Sequence, residues 1–364
     1  METITSGSIT AFYLFDVSET IDLSRLREQI GGGAAAARLV PKAGTPSYFT
    51  YAVPPVVVEG QALGIADIDG FRTRVKFFDY GVVSLALTKP FAGSWEALIA
   101  LSQNYIENDR IEQQAERACR QVVERCQAAI PHAREQWLSE DYLVFSVTGL
   151  EPRLTASTLV EQRAAEIALL LRGERQPLSE QEQEEVLRSR VSYLVDDLVV
   201  PTWNAALVYD TEAGVQPALE IFEFANSQLL EYRYYDALLD VELARIYGRL
   251  QQKPRFESLA GRAYVRATRE LHALFIDVND VTDRTQNALK LIGDIYAARL
   301  FHLVATRLGV PMWKASVDEK LKTLDDIYRF AVEQVAISRG HLLELAIVGI
   351  LVFELLLFFL GIMP

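Results

Sequence analysis

The chain reads as an α+β protein: a mixed sheet-and-helix domain, then long antiparallel α-helices, then a single C-terminal transmembrane helix. Three observations predict this. Short apolar runs alternate with amphipathic tracts over the first 210 residues. Three long helical tracts follow, separated by Pro254 and by Gly309-Val310-Pro311, and the last residues are almost uncharged. The expected domains are a soluble α+β domain over 1–210, a helical hairpin or coiled-coil-like stalk over 211–341, and an anchor over 342–364.

The elements follow in order. Ile9 to Phe15 reads as a strand, and IDLSRLREQI as a helix stopped at Gly31. Val53 to Val58 contains Pro54-Pro55 and fits only an edge strand, because proline donates nothing to a ladder. Arg74 to Thr88 reads as a hairpin around Asp79-Tyr80-Gly81, a short glycine-containing loop. Helical spacing returns from Trp95 to Tyr105. This β-α-β-β-α order suggests a small sheet with helices on one face. Asp109 to Ala129 is a charged amphipathic helix and Tyr142 to Thr148 a strand. One further helix runs from near Thr155 to Gly173, and another opens at Ser179 with Glu182 completing a capping box. Leu198 to Tyr209 looks like one extended stretch, limited by Pro201.

Val215 to Gln251, Phe256 to Leu308 and Trp313 onward are the long helical tracts, and tight turns between them predict antiparallel packing. The third needs no break before Leu342. Leu345 to Met363 is nineteen residues, about 28 Å as a helix against a hydrocarbon core of ~30 Å. Its one charge is Glu354, with Glu344 just outside. Each large aliphatic or Phe residue favours insertion by about 0.3–0.6 kcal/mol and a central charge costs about 2.5–3.5 kcal/mol, so the run as a whole favours lipid. The competing reading is a buried core helix. The N-terminus has no basic start or cleavage site of a signal peptide. Lys314, Lys320, Lys322, Arg329 and Arg339 precede the run. The expected location is therefore a membrane, crossed once, with the bulk of the chain cytoplasmic (at the inner membrane in a bacterium).

The net charge of −13 argues against a nucleic-acid surface. Cys119 and Cys126 lie seven apart on a helical pattern, about 10 Å along the axis, too far for a disulfide. Gly31 to Ala36 formally matches G-x-G-x-x-A, but it follows a helix rather than a strand and reads as a loop. No P-loop, H-E-x-x-H or G-x-S-x-G sequence occurs, and His132, His272, His302 and His341 are scattered. No catalytic residue, metal site or cofactor is expected, and the chain is read as a non-enzyme.

Polar groups inside the helical tracts are more informative. Asn226, Arg233 and Asp240 recur every seven residues on one helix face, and Asp280, Asp283, Arg284 and Asn287 follow i, i+3, i+4, i+7 spacing. Antiparallel packing would let Arg233 meet Asp280 or Asp283. Such pairs suit helix register, a partner groove or, least of all, catalysis. Glu344 and Glu354 lie about 80° apart around a helix and suit helix–helix assembly.

FFDYGVVSL (Phe77 to Leu85) resembles a hairpin of the Required-for-Meiotic-nuclear-Division family. DDLVVPTWNAALVYD and FEFANSQLLEYRYYDALLD resemble its middle section, and SRGHLLELAIVGILVFELLL its ending. The resemblance implies a membrane-attached protein, with relatives thought to form large assemblies that support translation. It supplies no catalytic residues. The expected function is a tail-anchored, self-associating tether or scaffold with possible protein partners and no direct nucleic acid. The alternatives are an enzyme with a pocket between head and stalk, or an accessory subunit of a membrane transporter.

Overall fold

The computed structural model describes residues 2–31, 34–36, 53–106, 108–251, 276 and 295–359. It divides into two compact units, Met1–Tyr234 with Asp283–Lys314, and Tyr235–Thr282 with Ala315–Pro364. The expected boundary at 210 marks the start of a helix whose first half belongs to the sheet unit.

The first unit is organised by one eight-stranded sheet. In chain order its strands are β1 (Thr3–Asp16), β2 (Ala34–Ala36), β3 (Val56–Glu59), β4 (Arg72–Phe77), β5 (Val82–Gly93), β6 (Ser139–Glu151), β7 (Leu198–Pro201) and β8 (Ala205–Tyr209). In space they run β2-β3-β4-β5-β1-β6-β8-β7. Every pairing is antiparallel except β6 with β8, so the sheet is mixed. Between these two parallel strands the chain runs through α4 (Ala156–Arg172), α5 (Glu180–Arg188) and β7, because parallel neighbours need a long crossover.

Local sequence explains most element ends. Asp22 caps α1 (Leu23–Ile30), accepting from the amides of Ser24 and Arg25, and Gly31 closes it with φ +66°. Ser94 caps α2 (Trp95–Tyr105) and Asn108 caps α3 (Asp109–Arg125). Thr155 and Gly173 bracket α4, and the Ser179 hydroxyl accepts from the Glu182 amide at the start of α5. Gly81 ends the turn from β4 to β5 with φ +95°, and a Cβ there would stand 1.8 Å from the Ser18 carbonyl oxygen. Only glycine fits.

Three local expectations change. Pro54 and Pro55 precede β3 rather than interrupt it, so β3 lies between β2 and β4 instead of at an edge. Leu198 to Tyr209 is two strands, turned at Thr202–Asn204, and Pro201 ends the edge strand β7. Helices cover both faces of the sheet, not one. On the first face Ile9, Tyr13, Phe77, Leu85, Phe145 and Leu207 share one core with residues of α1 to α5. On the second lie Thr10, Phe12, Lys76, Ser84, Tyr142 and Ser146, also buried. There α6 (Glu212–Gln251) crosses the strands, and Tyr142 of β6 stacks on its Phe222 with ring centroids 5.3 Å apart. Phe224 meets Phe301 of α7 (Ile295–Arg307) at 5.7 Å. Every residue from Ala218 to Tyr232 is buried, as expected of a helix enclosed on all sides.

In the second unit α6 from Tyr235 runs beside α8 (Val310–Phe359) from Ala315. Asp236 accepts from Ser316 at 2.6 Å and pairs with Lys320 at 2.8 Å, and Asp240 pairs with Lys320 at 2.7 Å. Rising numbers meet rising numbers, so these helices run parallel. The middle tract lies largely outside the described residues.

Among the described residues no helix is long and apolar enough to cross a membrane. This corrects the expected C-terminal transmembrane helix and, with it, the single-pass membrane location and the tail-anchored function. The apolar run is the end of the long helix α8, described to Phe359. Glu344 and Glu354 are both exposed along it.

Candidate functional site

The unusual chemistry of the first unit lies between the second sheet face and α6. Lys76 points from β4 into this layer and is completely buried. Its ammonium donates to Glu220 at 2.6 Å and pairs with Glu223, one turn further along α6. Arg74, two residues back on the same face of β4, approaches Glu223 at 3.8 Å. Two cations thus meet two carboxylates. Burial opposes ionisation of Glu223, but the positive charges of Lys76 and Arg74 outweigh it and hold the carboxyl below its ordinary value.

A second cluster closes the layer at the end of β1. Asp16 is buried and pairs with Arg134, which also donates to the Ser18 carbonyl and lies 3.9 Å from the Tyr234 ring centroid. Tyr80, in the turn from β4 to β5, hydrogen-bonds Ser227 at 2.7 Å and accepts from Gln228 at 3.4 Å. Burial raises the Asp16 carboxyl to about 7 against the pull of Arg134, with Glu19 adding to the rise. Burial also lifts Glu231 well above the carboxylate range; Asp16 and Asp79 add to this and Arg134 opposes it.

The residues singled out from the sequence separate. Asn226 is buried and donates to the Phe222 carbonyl at 2.9 Å, while its Oδ1 has no hydrogen-bond partner. Arg233 pairs with Glu140 of β6 and lies 6.0 Å from the Trp313 ring centroid. Asp240 is exposed and held by Lys320. Asp280, Asp283, Arg284 and Asn287 lie outside the described residues. Lys76, Glu220, Glu223, Asp16, Arg134 and Glu231 were missed. The available signal was six polar residues inside the otherwise apolar stretch Ala218–Tyr232 and one lysine in the strand RTRVKF.

Elsewhere, a crevice of about 500 Å³ lies between the start of α4 and Ser192–Leu198. One of about 250 Å³ lies at the ends of β6 and β8, beside Glu151, Arg153 and Asp210. Cys119 and Cys126 are buried and unpaired with each other, and burial raises both thiols. Among the described residues no group of three or more His, Cys, Asp or Glu is placed to hold a metal ion.

The first unit therefore defines a class: a mixed eight-stranded sheet with a charged, fully enclosed helix across one face. Residues 6–216 match the family described as uncharacterized protein MJ0711, N-terminal domain, and the chain belongs to that family. Uncharacterized protein MJ0711 of Methanocaldococcus jannaschii is 26% identical over 200 residues, which cover 55% of this chain and 61% of that protein. No solved structure matches. Nothing in these matches indicates the Required-for-Meiotic-nuclear-Division family, and that resemblance is corrected. It rested on short apolar and aromatic segments, which the demands of a buried hairpin and a buried helix also produce.

Proposed function

We propose that this chain is a non-enzymatic protein that works by self-association, through the apolar end of α8. One observation carries the reading. Ile347, Val348, Ile350, Leu351, Val352, Phe353 and Leu356 are each more than half exposed. At about 100° per residue these positions encircle the helix, so no single neighbouring groove covers them all. A helix apolar all round belongs inside other structure, and further copies of the same helix supply matching apolar surface.

The magnitudes are sufficient. Covering the exposed half of each side chain is worth on the order of 1 kcal/mol. Two helix ends together exceed the lower estimates of association cost, ~4 kcal/mol. Because one partner helix covers only one stripe of about 100°, the assembly holds more than two copies. The internal pairing of Lys76, Glu220, Glu223, Asp16 and Arg134 supports a structural role for those charges.

The test is disulfide trapping of the full chain carrying Val352→Cys. Oxidation is expected to give a covalent dimer at micromolar chain concentration, lost when Ile350 and Phe353 are changed to Asn in the same chain. Absence of cross-linking under those conditions overturns the reading.

A further inference from the structure

We propose that the carboxyl ends of β6 and β8 form a binding site for a small ammonium compound of the aliphatic amine class. Topology places it. These two strands are parallel neighbours, and the chain leaves them towards opposite faces of the sheet. From β6 it continues into α4, which packs in the core of the first face; from β8 it continues into α6, which crosses the second. Where connections part in this way the strand ends are left uncovered, and in open sheets ligands bind in the crevice so formed. The crevice of about 250 Å³ lies at this point, lined by Gly149, Glu151 and Arg153 from the β6 side, Asp210 from β8 and Thr5 from β1.

Backbone groups reach it as well. The Asp210 amide donates to the Val147 carbonyl at 3.2 Å, and pairing with β8 ends at Tyr209. Strand β6 runs on to Glu151, with β1 as its one strand neighbour there among the described residues. Ladder groups alternate in direction along a strand, so those of Gly149, two residues past Val147, point to the side that β8 has left. The residue is glycine where a Cβ would collide with the Thr5 hydroxyl.

Charge selects the ligand. Arg153 is already paired with Asp196 at 2.5 Å. Asp210 accepts from the Thr211 amide at 2.6 Å and lies so close to the first turn of α6 that a Cβ at Gly214 would collide with its carboxylate. The chain's own carboxylate thus takes the helix end at which an anion such as phosphate would otherwise be held. Glu151 presents an exposed carboxylate that forms no ion pair or side-chain hydrogen bond among the described residues. The lining therefore disfavours an anion and offers an ammonium group this carboxylate, with the Thr5 hydroxyl and the Gly149 carbonyl as further acceptors. At about 30 Å³ per water the crevice holds roughly eight waters, room for a short amine and too little for a nucleotide.

Isothermal titration calorimetry of the full chain with 1,4-diaminobutane in about 0.15 M salt tests this. The expected result is saturable binding of one amine per chain with a Kd below about 1 mM. Glu151→Gln is expected to weaken it at least tenfold, and Thr5→Trp, which fills the crevice from β1, to abolish it. Glu124→Gln, an exposed acid on α3, is expected to bind as wild type, which separates the crevice from the general attraction of cations to a chain of net charge −13. Absence of saturable binding overturns the proposal, as does binding that Glu151→Gln leaves unchanged or that Glu124→Gln weakens equally. Saturable binding of inorganic phosphate that Thr5→Trp abolishes would overturn the assignment of charge. Should Thr5→Trp fail to fold, the contrast between Glu151→Gln and Glu124→Gln decides alone.

Discussion

Replacing Lys76 with Met keeps the length of the side chain and removes one charge from a layer with no water access. Among the described residues the remaining cation paired with these carboxylates is then Arg74, which stands 3.8 Å from Glu223. A buried carboxylate stripped of its partner either stays ionised without compensation or takes up a proton. Protonation sets the upper limit. Holding a carboxyl of ordinary value ~4.3 neutral at pH 7 costs on the order of 3.5 kcal/mol, and at pH 5 only about 1 kcal/mol. Breaking a buried pair in this way is generally worth about 3–5 kcal/mol, in agreement. Urea unfolding followed by circular dichroism is therefore expected to show Lys76→Met losing about 3–4 kcal/mol at pH 7 and about 1 kcal/mol at pH 5. Adding Glu223→Gln is expected to recover part of the loss at pH 7, since the two sites share one interaction. A loss under about 1 kcal/mol at pH 7, or an equal loss at both pH values, would refute the reasoning.

Three further outcomes follow from the same geometry. Glu223, held below its ordinary value, contributes stability that is present above ~4.3 and lost as the pH falls through its folded value. Asp16, raised from 3.8 to about 7, works the other way: stability is lost as pH rises through that window, by on the order of 4 kcal/mol. Thermal melts across pH 3–9 should thus peak at mildly acidic pH; a peak above pH 7 would contradict the Asp16 assignment, and stability that does not fall between pH 4 and pH 3 would contradict that of Glu223. Gly81→Ala must hold φ +95° and displace the Ser18 carbonyl, whereas Gly31→Ala (φ +66°) meets nothing within 4 Å. Urea midpoints should show the first losing more than about 2 kcal/mol and the second about 1 kcal/mol; equal losses would remove the argument from close approach. Thr155→Ala is expected to cost about 1 kcal/mol through loss of the cap on the Thr158 amide, read by the same method, and no change would discount that cap.

The local grammar of this fold was legible. Trp95–Tyr105 was read to the residue, and Thr155, Gly173, Ser179 and Glu182 marked helix ends because capping is a contact between near neighbours. Registers and layers were not, because they depend on contacts distant in sequence. Lys76 and Glu220 are 144 residues apart, and neither carries a local sign of the other. The seven-residue spacing of Asn226, Arg233 and Asp240 suggested a helical neighbour, and Asp240 does meet Lys320 of α8, yet Arg233 pairs with a strand residue, Glu140, as well as facing Trp313 of α8. Periodicity fixes which residues share a helix face and leaves open what that face meets. Hydropathy likewise measured how apolar the chain end is without deciding what covers it.

Sedimentation velocity of the full chain in detergent-free buffer, across micromolar to nanomolar concentrations, tests the functional reading most directly. A boundary corresponding to three or more copies, collapsing to one copy when Ile350 and Phe353 become Asn, is the predicted result. A wild-type chain that sediments as a single copy throughout that range contradicts it.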